Sequence, residues 1–345
     1  MTHTFDPKTR PKSWSGLAVA IGLSAALLGG TALAAGDMPG DGVTVIPLKS
    51  SIAEETFQTL LVMKALEDLG YAVEPIKELE YAAAHLAIAN GDGTFMANQW
   101  DPLQTAFFEE AGGDEKIYRE GVYAPQGLQG YLIDKKTAEE HGITNLGQFT
   151  DPAIAALFDN DGDGKADLAG CTPGWGCEKT IEHQLDVFEL RDTVTHNQGS
   201  YSAIIADSIT RYEQGESILY YTWTPYWLSG VLIPGEDVVW LNVPFSALPP
   251  PRENDDTALP DGSNYGFDVN NQRIIANRVW AEANPAAAKL FAIMRISSND
   301  ISAQNLKMRD GEDSEADIDR HAEAWIAAHQ DTWTAWLDEA RAAAQ

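Results

Sequence analysis

The sequence predicts an α/β fold in two lobes, each a mostly parallel sheet flanked by helices. Patterns typical of buried strands alternate with patterns typical of amphipathic helices, which favours parallel sheets connected by helices. The 310 residues after position 35 are ample for two domains of common size. A stretch rich in proline and acidic residues, 244–263, interrupts the pattern. We expect this stretch to cross back from one lobe to the other.

The alternation is clearest in the first part of the chain. Ser51 and Glu54 have the spacing of a capping box before a helix, and Gly70 is placed to end that helix. The apolar stripe of this helix consists of Leu61, Val62, Ala65, Leu66 and Leu69. The other predicted elements are strands at 43–48, 71–73, 94–99 and 130–133, and helices at 82–89 and 103–111.

The pattern resumes after the break with a strand and a helix over residues 273–294. From residue 314 onwards the sequence is helical, and Trp325, Trp333 and Trp336 lie on its apolar faces. We expect these three tryptophans to be core residues. The predicted organisation is therefore lobe 1 over 36–126, lobe 2 over 127–244, and the crossover with the rest of lobe 1 over 245–345.

Residues 1–35 have the order of a cleavable secretory signal peptide. Lys8, Arg10 and Lys12 precede an uncharged run over 16–35, which closes on the small residues Ala32 and Ala34. A retained membrane anchor is the alternative, because about 20 apolar residues can span a bilayer. No cysteine stands near the cleavage site to accept a lipid. We expect a soluble, exported protein.

Charge and cysteine content narrow the function classes. The net charge is −29, and because residues 1–35 contribute +2, the remainder carries −31. This charge excludes nucleic acid as a partner, since phosphate binding needs clustered Lys and Arg. Cys171 and Cys177 are the only two cysteines. In an exported chain such a close pair favours a disulfide over a metal or redox site.

Signatures of enzymes are missing from the sequence. It contains no GxSxG, HExxH or P-loop motif, and its histidines are scattered. We therefore expect no catalytic residue, no cofactor and no metal. One open alternative is the stretch Asp159, Asp161, Asp163, Gly164 and Asp167, which resembles the start of a calcium loop. Gly170 stands where such a loop has its bidentate glutamate, and a solvated acidic turn has the same composition.

Three tryptophans differ from the others because turn-forming residues surround them. They are Trp100 before Asp101-Pro102, Trp175 between two glycines inside the Cys171–Cys177 ring, and Trp223 before Thr224-Pro225. We expect them on loops that expose binding groups. Several indole faces can surround a trimethylammonium group, which has no N–H to donate to a carboxylate. The alternative is that these tryptophans only pack the hinge and the bases of the loops.

Longer motifs around these tryptophans carry a family resemblance. They are Glu54-Glu55-Thr56-Phe57-Gln58-Thr59-Leu60-Leu61, the Cys171–Cys177 segment, Thr195-His196-Asn197-Gln198-Gly199, and Tyr220-Tyr221-Thr222-Trp223-Thr224-Pro225-Tyr226-Trp227. Through them the chain resembles the glycine betaine/proline betaine-binding periplasmic proteins (ProX type) of osmoprotectant ABC importers, and the likeness covers essentially all of it after the signal peptide.

The resemblance implies a type II periplasmic binding protein that encloses its ligand between two lobes. Its tryptophan box matches Trp100, Trp175 and Trp223, and its disulfide matches Cys171 with Cys177. The family holds the ligand carboxylate with backbone N–H groups matching Gly176 and Cys177, and with a histidine at the position of Gln104. An amide can still donate one neutral hydrogen bond there.

The expected partners are a small quaternary amine, an inner-membrane ABC permease and its ATPase, and we expect a monomer in the periplasm. Other functions stay open at this point. One is a receptor for another zwitterion, such as a choline-like compound, ectoine or an amino acid. Another is a periplasmic carbohydrate-binding or hydrolytic protein, which would share the stacking of its ligand on tryptophan.

Overall fold

Strands and helices alternate along the computed structural model, which describes residues 38–345. The predicted signal peptide, 1–35, lies outside the described residues. The strands are β1 (Thr44–Val45), β2 (Pro47–Lys49), β3 (Ala72–Val73), β4 (Lys77–Glu78), β5 (Phe95–Asp101), β6 (Ile117–Tyr118), β7 (Ala124–Gly127), β8 (Gln129–Asp134), β9 (Ala166–Ala169), β10 (Val194–Asn197), β11 (Leu219–Trp223), β12 (Val238–Trp240) and β13 (Asn270–Asn277).

The α-helices vary from one turn to about four turns in length. They are α1 (Glu55–Asp68), α2 (Tyr81–Asn90), α3 (Thr105–Glu110), α4 (Gly113–Lys116), α5 (Lys135–His141), α6 (Pro152–Ala155), α7 (Gly176–Val187), α8 (Tyr201–Glu213), α9 (Arg278–Ala283), α10 (Pro285–Ile293), α11 (Ser298–Arg309), α12 (Glu315–Ala328) and α13 (Gln330–Ala343). Short 3₁₀ helices occupy Leu146–Thr150, Ala156–Phe158 and Trp227–Gly230. Within residues 38–345, no helix combines the length and hydropathy needed to cross a bilayer.

Two sheets organise the described chain, in addition to a small parallel pair, β1 with β3. The first sheet has the order β4-β2-β5-β13-β6, and β7 also pairs with β13. The second has the order β10-β9-β11-β8-β12. The chain builds the first sheet up to β7, then the whole second sheet, and returns with β13. The α/β fold class is as predicted, while the exact lobe boundaries, 36–126, 127–244 and 245–345, stay a prediction.

The expectation of mostly parallel sheets is wrong, because both sheets are mixed. β2 is parallel to β4 and β5, and β9 is parallel to β10 and β11. β13 is antiparallel to all its neighbours, as is β8. The register explains this: β13 starts beside the end of β5 (Asn271 opposite Asp101), and β8 starts beside the end of β11 (Gln129 opposite Trp223). A strand that enters from the other sheet begins where its neighbours finish, so it runs opposite to them.

The start of α1 also differs from the prediction. The residue before the helix is Glu54, whose side chain caps no backbone group, so the Ser51–Glu54 capping box does not form. Glu55, one residue later, turns back instead and accepts hydrogen bonds from the hydroxyl (2.8 Å) and the backbone N–H (3.3 Å) of Ser50. The serine–glutamate contact is thus displaced by one residue at both of its ends, and it is not reciprocal, because the Glu55 N–H donates to the Ile52 carbonyl oxygen.

The C-terminal helices complete the core beside the first sheet. α12 packs against α1, and α13 packs against α10. Trp333 and Trp336 are buried in this core, as predicted, and Trp325 is half-buried at its margin. The Trp333 indole donates a hydrogen bond of 2.8 Å to Asp68 at the end of α1. These tryptophans tie the last helices to the first lobe segment.

Candidate ligand-binding site

The three tryptophans with unusual surroundings lie where regular elements end or begin. Trp100 is the penultimate residue of β5, Trp223 is the last residue of β11, and Trp175 immediately precedes α7. They are only 4–6% exposed. The expectation that they sit on loops is wrong for Trp100 and Trp223, which lie at the ends of strands. Their strands end at the edges where the chain passes between the two sheets, which brings their side chains together.

All six residues predicted to bind a ligand line one cavity. The space between their atoms measures about 270 Å³, open solvent at its mouth included. The predicted residues on its wall are Trp100, Gln104, Trp175, Gly176, Cys177 and Trp223, and the others are Ile52, Tyr81, Leu103, Gln129 and Tyr221. The wall combines residues from the part of the chain up to β7 (the first sheet segment) with residues from the part between β8 and β12 (the second sheet segment). The cavity therefore lies between these two segments.

Aromatic rings form a continuous cluster along this cavity. The ring centres of Trp175 and Trp223 are 5.7 Å apart with an interplanar angle of 76°, and the rings of Tyr81 and Trp175 are 6.2 Å apart. Trp100 is held by a close backbone approach on its other side. A Cβ added to Gly127 would come within 2.7 Å of the Trp100 ring and 2.9 Å of the Thr224 carbonyl oxygen. Glycine is therefore required at position 127 for this packing.

Trp175 is fixed by contacts from both parts of the chain. The Cys171–Cys177 disulfide forms, with 6.1 Å between the two Cα atoms, and it closes the predicted ring around Trp175. The indole N–H of Trp175 donates a 2.7 Å hydrogen bond to Glu80, which lies just before α2. Since Glu80 belongs to the first sheet segment and the disulfide ring to the second, this bond connects the two sides of the cavity.

His196 contacts the disulfide ring at Cys171. Its Nε2 accepts a 3.0 Å hydrogen bond from the backbone N–H of Cys171, and its Nδ1 lies 2.6 Å from Glu182. The tautomer with the proton on Nδ1 satisfies both contacts. Burial lowers the pKa of His196 and outweighs the opposing effect of Glu182. The lowered pKa favours this neutral form. The imidazole of His196 lies directly over Gly170, so a Cβ added at Gly170 would be only 2.0 Å from it.

The polar side of the cavity offers N–H groups. Gly176 and Cys177 begin α7, and the first amides of a helix have no acceptor within it. Gln104 is 1% exposed, and its Oε1 accepts a 3.2 Å hydrogen bond from the Trp100 backbone. Its Nε2 has no partner among the described residues. These donors suit a carboxylate, because an anion is favoured at a helix N-terminus.

Sequence reasoning missed several residues of the cavity wall. The hydroxyl of Tyr221 donates a 2.7 Å hydrogen bond to Gln129, and both line the cavity. A signal for Tyr221 was available, because a residue two positions before Trp223 in a strand lies on the same face. Tyr81 also lines the cavity and donates a hydrogen bond to Glu55. Burial raises the pKa of Glu55 to about 7.

The acidic residue next to Trp100 is neutralised by other groups. Asp101 forms ion pairs with Arg119 (3.0 Å) and Arg273 (2.6 Å). It is not on the cavity wall. An amino-acid receptor would need a free carboxylate for the ligand's ammonium, so this pairing favours a ligand whose nitrogen carries no N–H.

The acidic loop remote from this cavity is organised by its own backbone. Carboxylate oxygens of Asp159, Asp161 and Asp167 lie within 4.8 Å of one another. Asp159 accepts hydrogen bonds from the N–H groups of Gly162 and Gly164, and Asp167 accepts from Asn160. We assign no metal to the loop.

Comparisons with known proteins give the family. The family model of the substrate-binding domain of ABC-type glycine betaine transport systems matches residues 43–328. The glycine betaine-binding periplasmic protein OusX of Dickeya dadantii is 60% identical over 312 residues, covering 90% of this chain and 94% of that protein. The glycine betaine/proline betaine-binding periplasmic protein of Escherichia coli is 58% identical over 309 residues, covering 90% and 93%.

Solved structures share the fold at low sequence identity. Lactococcal OpuAC in its closed conformation with glycine betaine superposes with a TM-score of 0.64 at 19% identity, covering 86% of this chain and 99% of that one. An ABC-transporter choline-binding protein with choline gives 0.68 at 18% identity, covering 87% and 96%. These structures support the two-lobed fold.

Proposed function

The chain belongs to the family of substrate-binding domains of ABC-type glycine betaine transport systems, and we propose that it captures betaine in the cavity lined by Trp100, Trp175 and Trp223. It is the substrate-binding protein of a glycine betaine/proline betaine transporter. The residues that hold the ligand, and the part each plays, are the content of the proposal.

The cationic end of betaine fits the aromatic cluster. A trimethylammonium group is bulky and cannot donate a hydrogen bond, so it gains nothing from a polar pocket. Indole rings attract it electrostatically, at about 0.5 to 2 kcal/mol for each contact depending on desolvation. Trp175 and Trp223, set at 76° to each other, present two differently oriented rings to one volume.

The carboxylate of the same ligand fits the N–H groups of that cavity. The observation that carries the proposal is that buried, unpartnered donors and three indoles share one wall: Gln104 Nε2 and the first amides of α7, Gly176 and Cys177, lie on it with the tryptophans. Leaving a buried donor unpaired costs about 1 to 3 kcal/mol, which a bound carboxylate would recover. Betaine supplies both missing partners at once.

Capture then serves transport. We propose export to the periplasm, because both relatives are named as periplasmic proteins. We also propose that the loaded protein delivers its ligand to an inner-membrane permease driven by its ATPase. Enclosure between the two sheet segments removes the ligand from water and strengthens each contact. Binding and release require no covalent chemistry, and the family is one of transport proteins.

A calorimetric comparison of five ligands tests the proposal. Glycine betaine and proline betaine should bind tightly, choline more weakly because it lacks the carboxylate, and glycine very weakly because each N–H needs an acceptor that the cavity lacks. Glucose should not bind. Equal affinities for glycine and glycine betaine would disprove recognition by the indoles even if the tryptophans line the pocket.

A further inference from the structure

A second, larger chamber adjoins the betaine cavity and shares two of its tryptophans. It comprises about 810 Å³ of space that atoms do not fill, open solvent at its mouth included. Trp175 and Trp223 form a wall common to both volumes, and Ile52 also borders both. The rest of its wall is different and consists of Ser51, Ala53, Glu54, Glu80, Thr172, Ser200, Tyr201, Ser202, Tyr226 and Trp227.

Aromatic rings from the second sheet segment form one side of this chamber. The ring of Trp223 contacts those of Tyr201 (ring centres 4.7 Å apart) and Tyr226 (4.4 Å). The ring of Tyr226 also lies 5.3 Å from that of Trp227. With Trp175, which is 5.7 Å from Tyr201, five rings border the volume. These rings therefore border unfilled space in addition to contacting one another.

Carboxylates from the first sheet segment form the facing side. Glu54 and Glu80 line the chamber, and none of the described lining residues is Lys or Arg. Glu80 accepts the Trp175 indole N–H. Glu54 accepts hydrogen bonds from the side chains of Trp227 and Tyr226, and its burial raises its pKa. Lys49, the cation that acts on Glu54, is itself paired with Glu78 at 3.0 Å, so this mostly enclosed carboxylate gains from a further positive partner.

We propose that this chamber binds a small quaternary ammonium cation without a carboxylate, such as tetramethylammonium or the head of choline, while betaine occupies the cavity of Trp100. The two volumes would divide ligands by charge. The N–H groups of the first cavity favour a zwitterion, whereas Glu54 and Glu80 repel a ligand carboxylate and attract a bare cation. The proposal relies on the proposed function only for the place of betaine.

Titration of tetramethylammonium into betaine-saturated protein tests the proposal, with ligand-observed NMR as the readout at constant ionic strength. We expect saturable binding that Glu54→Gln and Trp227→Leu each weaken by at least about fivefold. Glu236→Gln is the matched control, because it removes the same charge from an exposed site elsewhere and should change nothing. Far-ultraviolet circular dichroism checks the fold of each variant.

Two results would disprove binding of a second cation in the chamber. Tetramethylammonium that binds the free protein but is displaced completely by betaine occupies the betaine cavity instead. Equal effects of Glu54→Gln and Glu236→Gln would show that the cation only senses the acidic surface. Trp100 lines the betaine cavity and not the chamber. A Trp100→Ala variant that loses betaine but keeps tetramethylammonium therefore separates this proposal from the proposed function.

Discussion

Two groups of three tryptophans, all buried except the half-buried Trp325, differ in what their rings contact. The first group is Trp100, Trp175 and Trp223, and the second is Trp325, Trp333 and Trp336. Both contain rings less than a tenth exposed. The first group borders two unfilled volumes. In the second group, Trp325 and Trp333 each have their ring centre 6.2 Å from that of Trp336, in the core of the C-terminal helices. Unfilled space beside the ring, rather than exposure, separates the first group from the second.

The two groups share one detail that makes the comparison testable. In each, an indole N–H donates to a carboxylate from a distant part of the chain: Trp175 to Glu80 at 2.7 Å, and Trp333 to Asp68 at 2.8 Å. Both hydrogen bonds join an indole N–H to a carboxylate. If removing them changes different properties, affinity in one case and stability in the other, the two indoles have different roles.

The largest expected effect comes from removing the rings themselves. Trp333→Ala or Trp336→Ala should lower the free energy of unfolding by about 3 to 5 kcal/mol, because a filled core loses a large side chain. Single changes of Trp100, Trp175 or Trp223 to Ala should instead weaken betaine binding by more than about tenfold, since each loses a cation–π contact, and leave the fold intact. Urea unfolding and calorimetry, performed on every variant, measure both quantities. Unchanged betaine affinity in all three variants of the first group would rule out the site.

The disulfide should separate the groups next. Closing a ring of seven residues stabilises the fold by roughly 2 kcal/mol. A Cys171→Ser, Cys177→Ser variant should lose more than this in binding free energy, because the ring orders Trp175 and the Gly176 and Cys177 amides. Trp333 and its neighbours lie outside the ring and should be unaffected, which the near-ultraviolet circular dichroism of the core can monitor. Wild-type affinity in the serine variant would show that the loop keeps its shape unaided.

The matched carboxylates give a smaller and more specific contrast. Glu80→Gln should reduce betaine affinity by about 1.5 kcal/mol at most, because a neutral acceptor holds the Trp175 indole less firmly than a charged one. Asp68→Asn should lower the free energy of unfolding by a similar amount and leave affinity unchanged. Calorimetry and urea unfolding on the two variants suffice. If both variants change the same quantity, the two indoles have the same role.

The smallest expected effect concerns Gln104, where the family has histidine. Glutamine does not titrate, so no direct pH dependence of affinity arises at this position between pH 5 and 8. Gln104→His should tighten betaine binding towards acid by up to about 1 kcal/mol, because only the protonated imidazole adds a charge-assisted bond to the carboxylate. Calorimetric titrations of both forms across this pH range measure the difference.

The control for this experiment is set by Glu55. Its pKa of about 7 lies far above its ordinary value of 4.5, so the folded state binds more protons and stability falls as pH rises from about 4.5 through 7. Tyr81, its partner, lines the cavity. Both proteins should therefore be compared in a Glu55→Gln background, where this titration is absent. A variant with histidine at 104 that shows no pH dependence there would mean that residue 104 does not face the carboxylate.

Local patterns in the sequence predicted most of the regular elements. The apolar stripe of α1, the alternation up to β8 and the C-terminal helices follow from the spacing of apolar residues, which is a property of neighbours in the chain. The antiparallel direction of β8 and β13 could not be derived in this way. It depends on the end of the sheet at which the chain re-enters, and no short segment encodes that.

The site was predictable to the extent that its chemistry is local. Turn-forming neighbours and family motifs singled out Trp100, Trp175 and Trp223, and the structure places them on one wall with Gln104. The contacts that orient them were not predictable. Glu80 and Trp175 are 95 positions apart, and Gln129 meets Tyr221 only through the register of β8 and β11.

The disulfide ring around Trp175 bears on the stage before the export that we propose for this protein. A cytoplasm keeps thiols reduced, whereas the periplasm oxidises them. A newly made chain would therefore hold its Trp175 loop open at the stage when it is surrounded by the osmolyte that its own transporter has accumulated. Such a precursor would neither sequester this cellular reserve nor be stabilised by it into a folded form that resists translocation. If the chain is exported as we propose, oxidation of this ring would complete the proposed betaine site only outside the cytoplasm.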